Sequence, residues 1–213
     1  MPERTASYEL ALASPAGIFT GLGVAGLVDR LTVRDAAGLP VVPGSTVKGR
    51  LRFHAERLLR SGGAPAPHWL HDPGGPACKR LAAACTVCRL FGNGAVAGQL
   101  RVGDAALAEP CRGLFAALLA ADANPVVHRD VEVRPGLAVG RRSRTAVADH
   151  LFFDETLPAE LAFRGTLVAG TALADGELAF LRWTGAVVDA IGARKAAGRG
   201  MLAGGVRIAD AWQ

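Results

Sequence analysis

An α+β fold, with helices laid on one face of an antiparallel sheet, is predicted by three features of the chain. Apolar alternation marks strands toward both ends, helical periodicity marks two long segments, and the elements run strand, helix, strand, strand, helix, strand. With 213 residues, half of them hydrophobic, the chain is long enough to bury a sizeable core and too apolar to be disordered.

The first strand is expected at Thr5 to Leu12, where Tyr8, Leu10 and Leu12 share a face. Ser14 to Gly26 is rich in Gly and Ala and reads as a loop. Val28 to Val42 alternates around Asp35-Ala36-Ala37-Gly38, which suggests a β-hairpin. Pro43-Gly44 ends the extended run, and Ser45 or Thr46 supplies a cap for the helix that follows. That helix carries Val47, Leu51, Ala55 and Leu58-Leu59 on one stripe and should stop near Arg60-Ser61-Gly62-Gly63.

Residues 61–97 read as an irregular, cysteine-rich insertion. Gln99 to Leu107 is strand-like, and Cys111 to Ala121 is Ala-rich and helical. Residues 122–158 form a second insertion, where Arg129, Arg134, Arg141, Arg142 and Arg144 cannot pack as core and predict an exposed basic loop or hairpin. Leu161 to Thr171 is a strand, Glu177 to Ile191 a helix, and Val206 to Trp212 a final strand. This order corresponds to a ferredoxin-like sandwich: one domain over residues 1–213 with the two insertions.

A formal charge of +5 favours an anionic partner. Arginine supplies nearly all of it, with lysine only at 48, 79 and 195. With one Tyr and eight Phe, the chain lacks the aromatic platforms of base-stacking single-strand binders. Nucleic acid would be held by its backbone rather than read by its bases. No signal-peptide layout and no membrane-length apolar run is evident, and the clustered cysteines suit a metal better than disulfides, so the chain is read as cytoplasmic.

Cys85 and Cys88 have the knuckle spacing that lets two thiolates grip one ion, Cys78 lies just upstream, and His71 or His68 can complete a Cys₃His site. Of the two, His71 is favoured, because glycines flank its loop. Such a closed site binds Zn²⁺ structurally. Four unligated thiols are the plain alternative. Lys48, Arg50 and Arg52 follow the predicted helix start, whose backbone N–H groups, with Ser45 and Thr46, suit a phosphate. The segment Gly192 to Gly205 sets Arg194, Lys195 and Arg199 among glycines, which permits close backbone approach. Walker, GxSxG and HExxH patterns are absent, which argues against P-loop, α/β-hydrolase and zincin chemistry. Asp29, Asp35 and Asp104 are the acids worth weighing: Asp35 suits a turn, and Asp104, at a strand end, a local cap or a local pair.

Leu39-Pro40-Val41-Val42-Pro43-Gly44-Ser45-Thr46-Val47-Lys48-Gly49-Arg50-Leu51-Arg52 resembles the signature of the RAMP superfamily of CRISPR-associated proteins. Cys85-Thr86-Val87-Cys88-Arg89-Leu90-Phe91-Gly92 resembles its "C-x-x-C-x-L-F-G" segment, and Leu100–Ala105, Leu151–Glu155 and Arg194–Gly205 fit as well. Within the superfamily the chain is most similar to backbone subunits of type III effector complexes. That resemblance implies an RNA-recognition-like core with a thumb-like hairpin, a filament of copies along CRISPR guide RNA with other effector subunits, and paired target RNA. Gly26-Leu27-Val28-Asp29-Arg30-Leu31-Thr32-Val33-Arg34-Asp35 matches the segment that carries the family's catalytic Asp, which implies target cleavage by Asp29 with Mg²⁺ or another divalent ion. Leu31 and Thr32 depart from that segment, and Arg30 is a candidate partner for the Asp29 charge. The resemblance also admits an inactive structural backbone subunit or a pre-CRISPR-RNA processing nuclease.

Overall fold

Tyr8, Leu10 and Leu12 turn inward along the first strand while Thr5 and Ser7 face out, and this alternation makes it the central lane of the molecule. The computed structural model describes residues 2–62, 69–71, 78–121 and 130–213. In chain order the first half contains β1 (Arg4–Leu12), β2 (Val41–Val42), α1 (Gly44–Ser61), α2 (Thr86–Phe91), β3 (Leu100–Val102), β4 (Ala105–Leu107) and α3 (Cys111–Ala121). The second half contains β5 (Glu132–Val139), β6 (Ala146–Thr156), β7 (Ala162–Ala169), α4 (Asp175–Ala186) and β8 (Leu202–Ile208).

β1 pairs antiparallel with β7 on one side and with β8 on the other. β3 and β4 both run against β7, interrupted at Gly103-Asp104, and β2 extends that edge through β4. With α1 and α4 over one face, this is the ferredoxin-like order, and β5–β6 forms a separate two-stranded hairpin. The core joins the inward faces of β1, β7 and β3 to Val47, Leu51, Ala55 and Leu59 of α1 and to Leu178 and Leu181 of α4. The opposite sheet face is polar: Arg164 and Arg207 both pair with Glu9, and Arg101 pairs with Glu3. Tyr8 lies on the core side, donating to the Gly103 carbonyl at 2.7 Å, so β1 offers no aromatic for base stacking.

Two local expectations are corrected, and one is borne out. Neither Ser45 nor Thr46 caps α1. Pro43 occupies the cap position without a side-chain bond, and Asp104 Oδ1 instead accepts from the Gly44 N–H at 2.7 Å. A Cβ at Gly44 would sit 2.1 Å from the Val102 carbonyl oxygen, so the helix start and the β3–β4 break fit only around glycine. The expected hairpin around Asp35–Gly38 is present as a short one: Arg34 bridges antiparallel to Pro40, Asp35 donates to the Leu39 carbonyl and Val41 to that of Val33, Asp35 Oδ1 accepts from Ala37 and Leu39 in the turn, and β2 then pairs with β4. Near the C-terminus the helix stops at Ala186 and the strand starts at Leu202, because Asp189 and Ile191 have already joined the β8 lead-in. There, Ile191 donates to the Gly200 carbonyl and Leu202 to that of Asp189.

Candidate metal centre and nucleic-acid interface

His71, Cys78, Cys85 and Cys88 bring their ligand atoms within 4.8 Å of one another. His71 Nδ1 lies 3.3 Å from Cys85 Sγ, 3.6 Å from Cys88 Sγ and 3.9 Å from Cys78 Sγ. Three thiolates and one imidazole at these separations fit a tetrahedral zinc ion. His68 lies outside the described residues. The site is supported by Asn93, whose Nδ2 donates to Cys88 Sγ at 3.2 Å and to the Cys78 carbonyl at 3.0 Å. The Cys85 N–H donates to Cys78 Sγ and holds that thiol below its usual range. Burial pushes the Cys88 thiol up to about 12, a penalty that a bound dication reverses. The knuckle is no appendage: Val87, Leu90 and Phe91 of α2 belong to the main core, and Arg89 bridges to Glu177 at 3.1 Å on α4.

A groove of about 410 Å³ runs beside the start of α1. Ser45, Thr46 and Gly49 line one wall, Gly17 to Phe19 another, and Gly192, Ala193 and Lys195 a third. Gly192 has φ +79°, and a Cβ there would meet the Gly17 carbonyl at 2.4 Å, so glycine is what lets the two loops close together. Ala193 then donates to the Gly17 carbonyl at 2.8 Å, and Lys195 Nζ curls onto the Gly192 carbonyl.

Lys48, Arg50 and Arg52, the cations near the α1 start, each have a partner within the fold. Lys48 Nζ donates to the Leu100 carbonyl at 2.8 Å, and its burial, then the charge of Arg52, lowers its pKa. Arg50 binds the Ala190 carbonyl and Asp189, and Arg52 binds Glu56 and the Gly92 carbonyl. They dock α1 against its neighbours, although Arg50 also edges the groove.

Asp29 is exposed on a loop fixed to the root of the hairpin. Its N–H donates to the Phe153 carbonyl at 2.8 Å, and its Oδ2 accepts from the Phe153 N–H at 2.7 Å. The same loop pairs with the groove wall: Thr20 donates to the Leu31 carbonyl and Val33 to that of Ile18. Arg30 does not pair with Asp29. It turns to Asp154, donating from Nε at 2.7 Å and Nη2 at 3.0 Å.

Arg141 and Arg142 lie exposed at the tip of the hairpin, while Arg134 sits near its root, paired with Glu132 at 2.7 Å. Arg129 lies outside the described residues. Arg194 and Arg199 face inward from the glycine-rich loop toward Asp154, at 2.9 Å and 4.0 Å. Sequence reasoning missed Asp154, Asp130 and Asn93. Only Asn93 left a local signal, since it sits between two glycines just after the knuckle. The two acids acquire their partners from segments between 40 and 124 residues away.

A model of the RAMP superfamily matches residues 12–203. The match covers most of the chain, so the protein belongs to the RAMP superfamily, whose members are CRISPR-associated and bind RNA. No curated protein matches it significantly. Among the described residues, no helix is long and apolar enough to cross a membrane.

Proposed function

We propose that this chain is a guide-RNA-binding backbone subunit of a type III CRISPR effector complex that cleaves paired target RNA at Asp29. One observation carries the reading: the Asp29 loop forms a paired ribbon with the wall of the groove and is hydrogen-bonded to the hairpin root. A guide backbone in the groove would therefore run close to an exposed, fixed carboxylate. The groove would take the guide backbone between the α1 start and the glycine-rich loop, with Lys195 exchanging its Gly192 carbonyl for a phosphate, without reading sequence, which base pairing supplies. The tip arginines Arg141, Arg142 and Arg144 extend toward the duplex or the next copy in the filament. Lys48, Arg50 and Arg52 contribute to the field of that surface and shape it from behind.

In the cleavage step, Asp29 would use its exposed carboxylate to orient groups at the scissile phosphate while Phe153 holds its other side. A divalent ion such as Mg²⁺, when bound there, would supply charge stabilisation for the phosphate oxygens. The neighbouring sugar 2′-OH, giving its proton to solvent, would attack the phosphorus in line as the bond to the 5′-oxygen breaks; that oxygen leaves, takes a proton from water, and the products are a 2′,3′-cyclic phosphate and a 5′-OH end. The Cys₃His centre would hold Zn²⁺ for structure alone.

The test is an assembled complex with matched target RNA and Mg²⁺. Cleavage by the native complex and its loss in Asp29→Ala, with target binding retained, is the expected result. Intact RNA in a native complex that binds target would leave a purely structural backbone subunit as the reading.

A further inference from the structure

We infer that Asp154 is a positioning residue which, through Arg30 and Arg194, locks the Asp29 loop and the glycine-rich groove loop into one arrangement. The inference rests on the cleavage reading of Asp29 for its functional meaning, but its structural content stands on separate geometry.

The Asp154 side chain is fully buried, where a carboxylate without partners would bear a large desolvation cost. Arg30 closes on it through two hydrogen bonds, and Arg194 Nε donates to Oδ2 at 2.9 Å. Arg199 stands 4.0 Å from the same oxygen. Three cations therefore converge on one anion, and without it they would repel one another. The guanidinium of Arg30 lies 4.8 Å from the Phe19 ring centroid and 5.3 Å from that of Phe152, while Arg194 stacks at 4.1 Å on Phe152. Phe19 is itself a wall of the groove. The backbone agrees with the side chains: Glu155 donates to the Arg30 carbonyl at 3.0 Å, next to the Asp29–Phe153 pair.

On the groove side, Arg194 holds a left-handed conformation at φ +57°, which a non-glycine residue adopts at a cost. Its bond to Asp154 over-determines that conformation and so fixes Ala193 and Lys195 on either side. One carboxylate thus ties together a residue adjacent to Asp29, a residue within the groove loop, and a strand of the hairpin. None of these ties involves the sheet core. The arrangement makes the placement of Asp29 depend on the state of the groove loop.

The experiment uses the assembled complex with guide RNA and matched target. Target affinity, single-turnover cleavage and amide exchange at residues 29–31 and 192–200 are measured for native protein, Asp154→Asn and Arg194→Gln. Expected in Asp154→Asn are near-native affinity and faster exchange in both loops. Cleavage should be slower by about tenfold to a hundredfold, the loss produced when a reacting group drifts by roughly 1 Å. Arg194→Gln should quicken exchange at residues 29–31, although residue 194 does not touch Asp29. It carries the test alone if Asp154→Asn fails to fold. Unchanged exchange at residues 29–31 in the variants that fold, or affinity and cleavage falling in equal proportion, would overturn the inference. Asp29→Ala run alongside separates the two readings. Native-rate cleavage in that variant removes the role of Asp29, while joint loosening of both loops in Asp154→Asn still supports the tie.

Discussion

Arg34 grips Asp130 through two parallel hydrogen bonds, Nη1 to Oδ2 at 2.7 Å and Nη2 to Oδ1 at 2.8 Å, with the carboxylate fully buried. The same guanidinium reaches the Gly38 carbonyl, so the Asp35–Gly38 turn and the start of the hairpin are clamped together. Removing one member of such a pair strands the other in a dry site. Arg34→Ala should therefore lower stability by about 3–5 kcal/mol in chemical denaturation. A change below about 1 kcal/mol would mean that water reaches Asp130 and the clamp is weak.

The metal centre makes a second prediction. Because α2 contributes Val87, Leu90 and Phe91 to the main core, loss of zinc should be felt globally rather than in one loop. Cys88→Ser should lower bound zinc and the melting temperature together, and strong chelation of native protein should reproduce both. Full stoichiometric zinc in Cys88→Ser would refute the ligand assignment.

His54 predicts an acid-sensitive stability. It is buried, with Arg50 Nη2 2.9 Å from its Nε2 and Asp189 Oδ1 at 3.4 Å. Burial and then the Arg50 charge, with a smaller push from Arg57, lower its pKa despite the opposing pull of Asp189. The folded state thus binds the proton less readily than the unfolded chain, so the His54 contribution is present above about pH 6.5 and is lost as pH falls through the lowered folded value. Denaturation midpoints between pH 7 and 5 should fall, at about constant salt, and His54→Gln should flatten that slope. An unchanged slope in the variant would assign the acid sensitivity elsewhere.

The groove predicts a division of labour among the cations. Lys195→Ala should weaken guide binding across all guide sequences and reduce the salt-dependence slope by about one. Arg50→Ala should instead appear first as lost stability, because its guanidinium serves Ala190, Asp189 and His54. Equal loss of guide affinity in both, with native stability in Arg50→Ala, would return Arg50 to the RNA surface.

Gly44→Ala tests the junction between helix and sheet. The added methyl would lie 2.1 Å from the Val102 carbonyl oxygen, and that backbone is held in the sheet. A loss of about 1–3 kcal/mol is expected, from overpacking rather than from helix propensity, which alanine improves. Thermal unfolding of the variant decides it.

Most of the fold was legible because periodicity is local. The β1 alternation, the apolar stripe of α1 and the bounds of α3 each follow from residues a few positions apart, and α1 stops at Ser61 before Gly62 as the glycines suggest. The knuckle was legible for the same reason, since Cys85 and Cys88 lie on one turn. Boundaries were misplaced where a distant backbone took over the hydrogen bonds. The α4 helix stops early because Asp189 and Ile191 pair with the β8 lead-in, and Asp104 displaces Ser45 and Thr46 as the cap from sixty positions away.

By itself, the sequence determined the α+β class, the order of the elements and, through its motifs, the superfamily, and it singled out the three clustered cysteines while leaving the histidine between His71 and His68. Only the tertiary structure decided which charges are free. Arg30 was placed beside Asp29 by the chain, yet the fold gives it to Asp154, and it gives Lys48 to a carbonyl of β3. The reason is physical: a buried carboxylate or carbonyl takes the nearest cation in space to offset its lost hydration, and spacing along the chain does not report that distance.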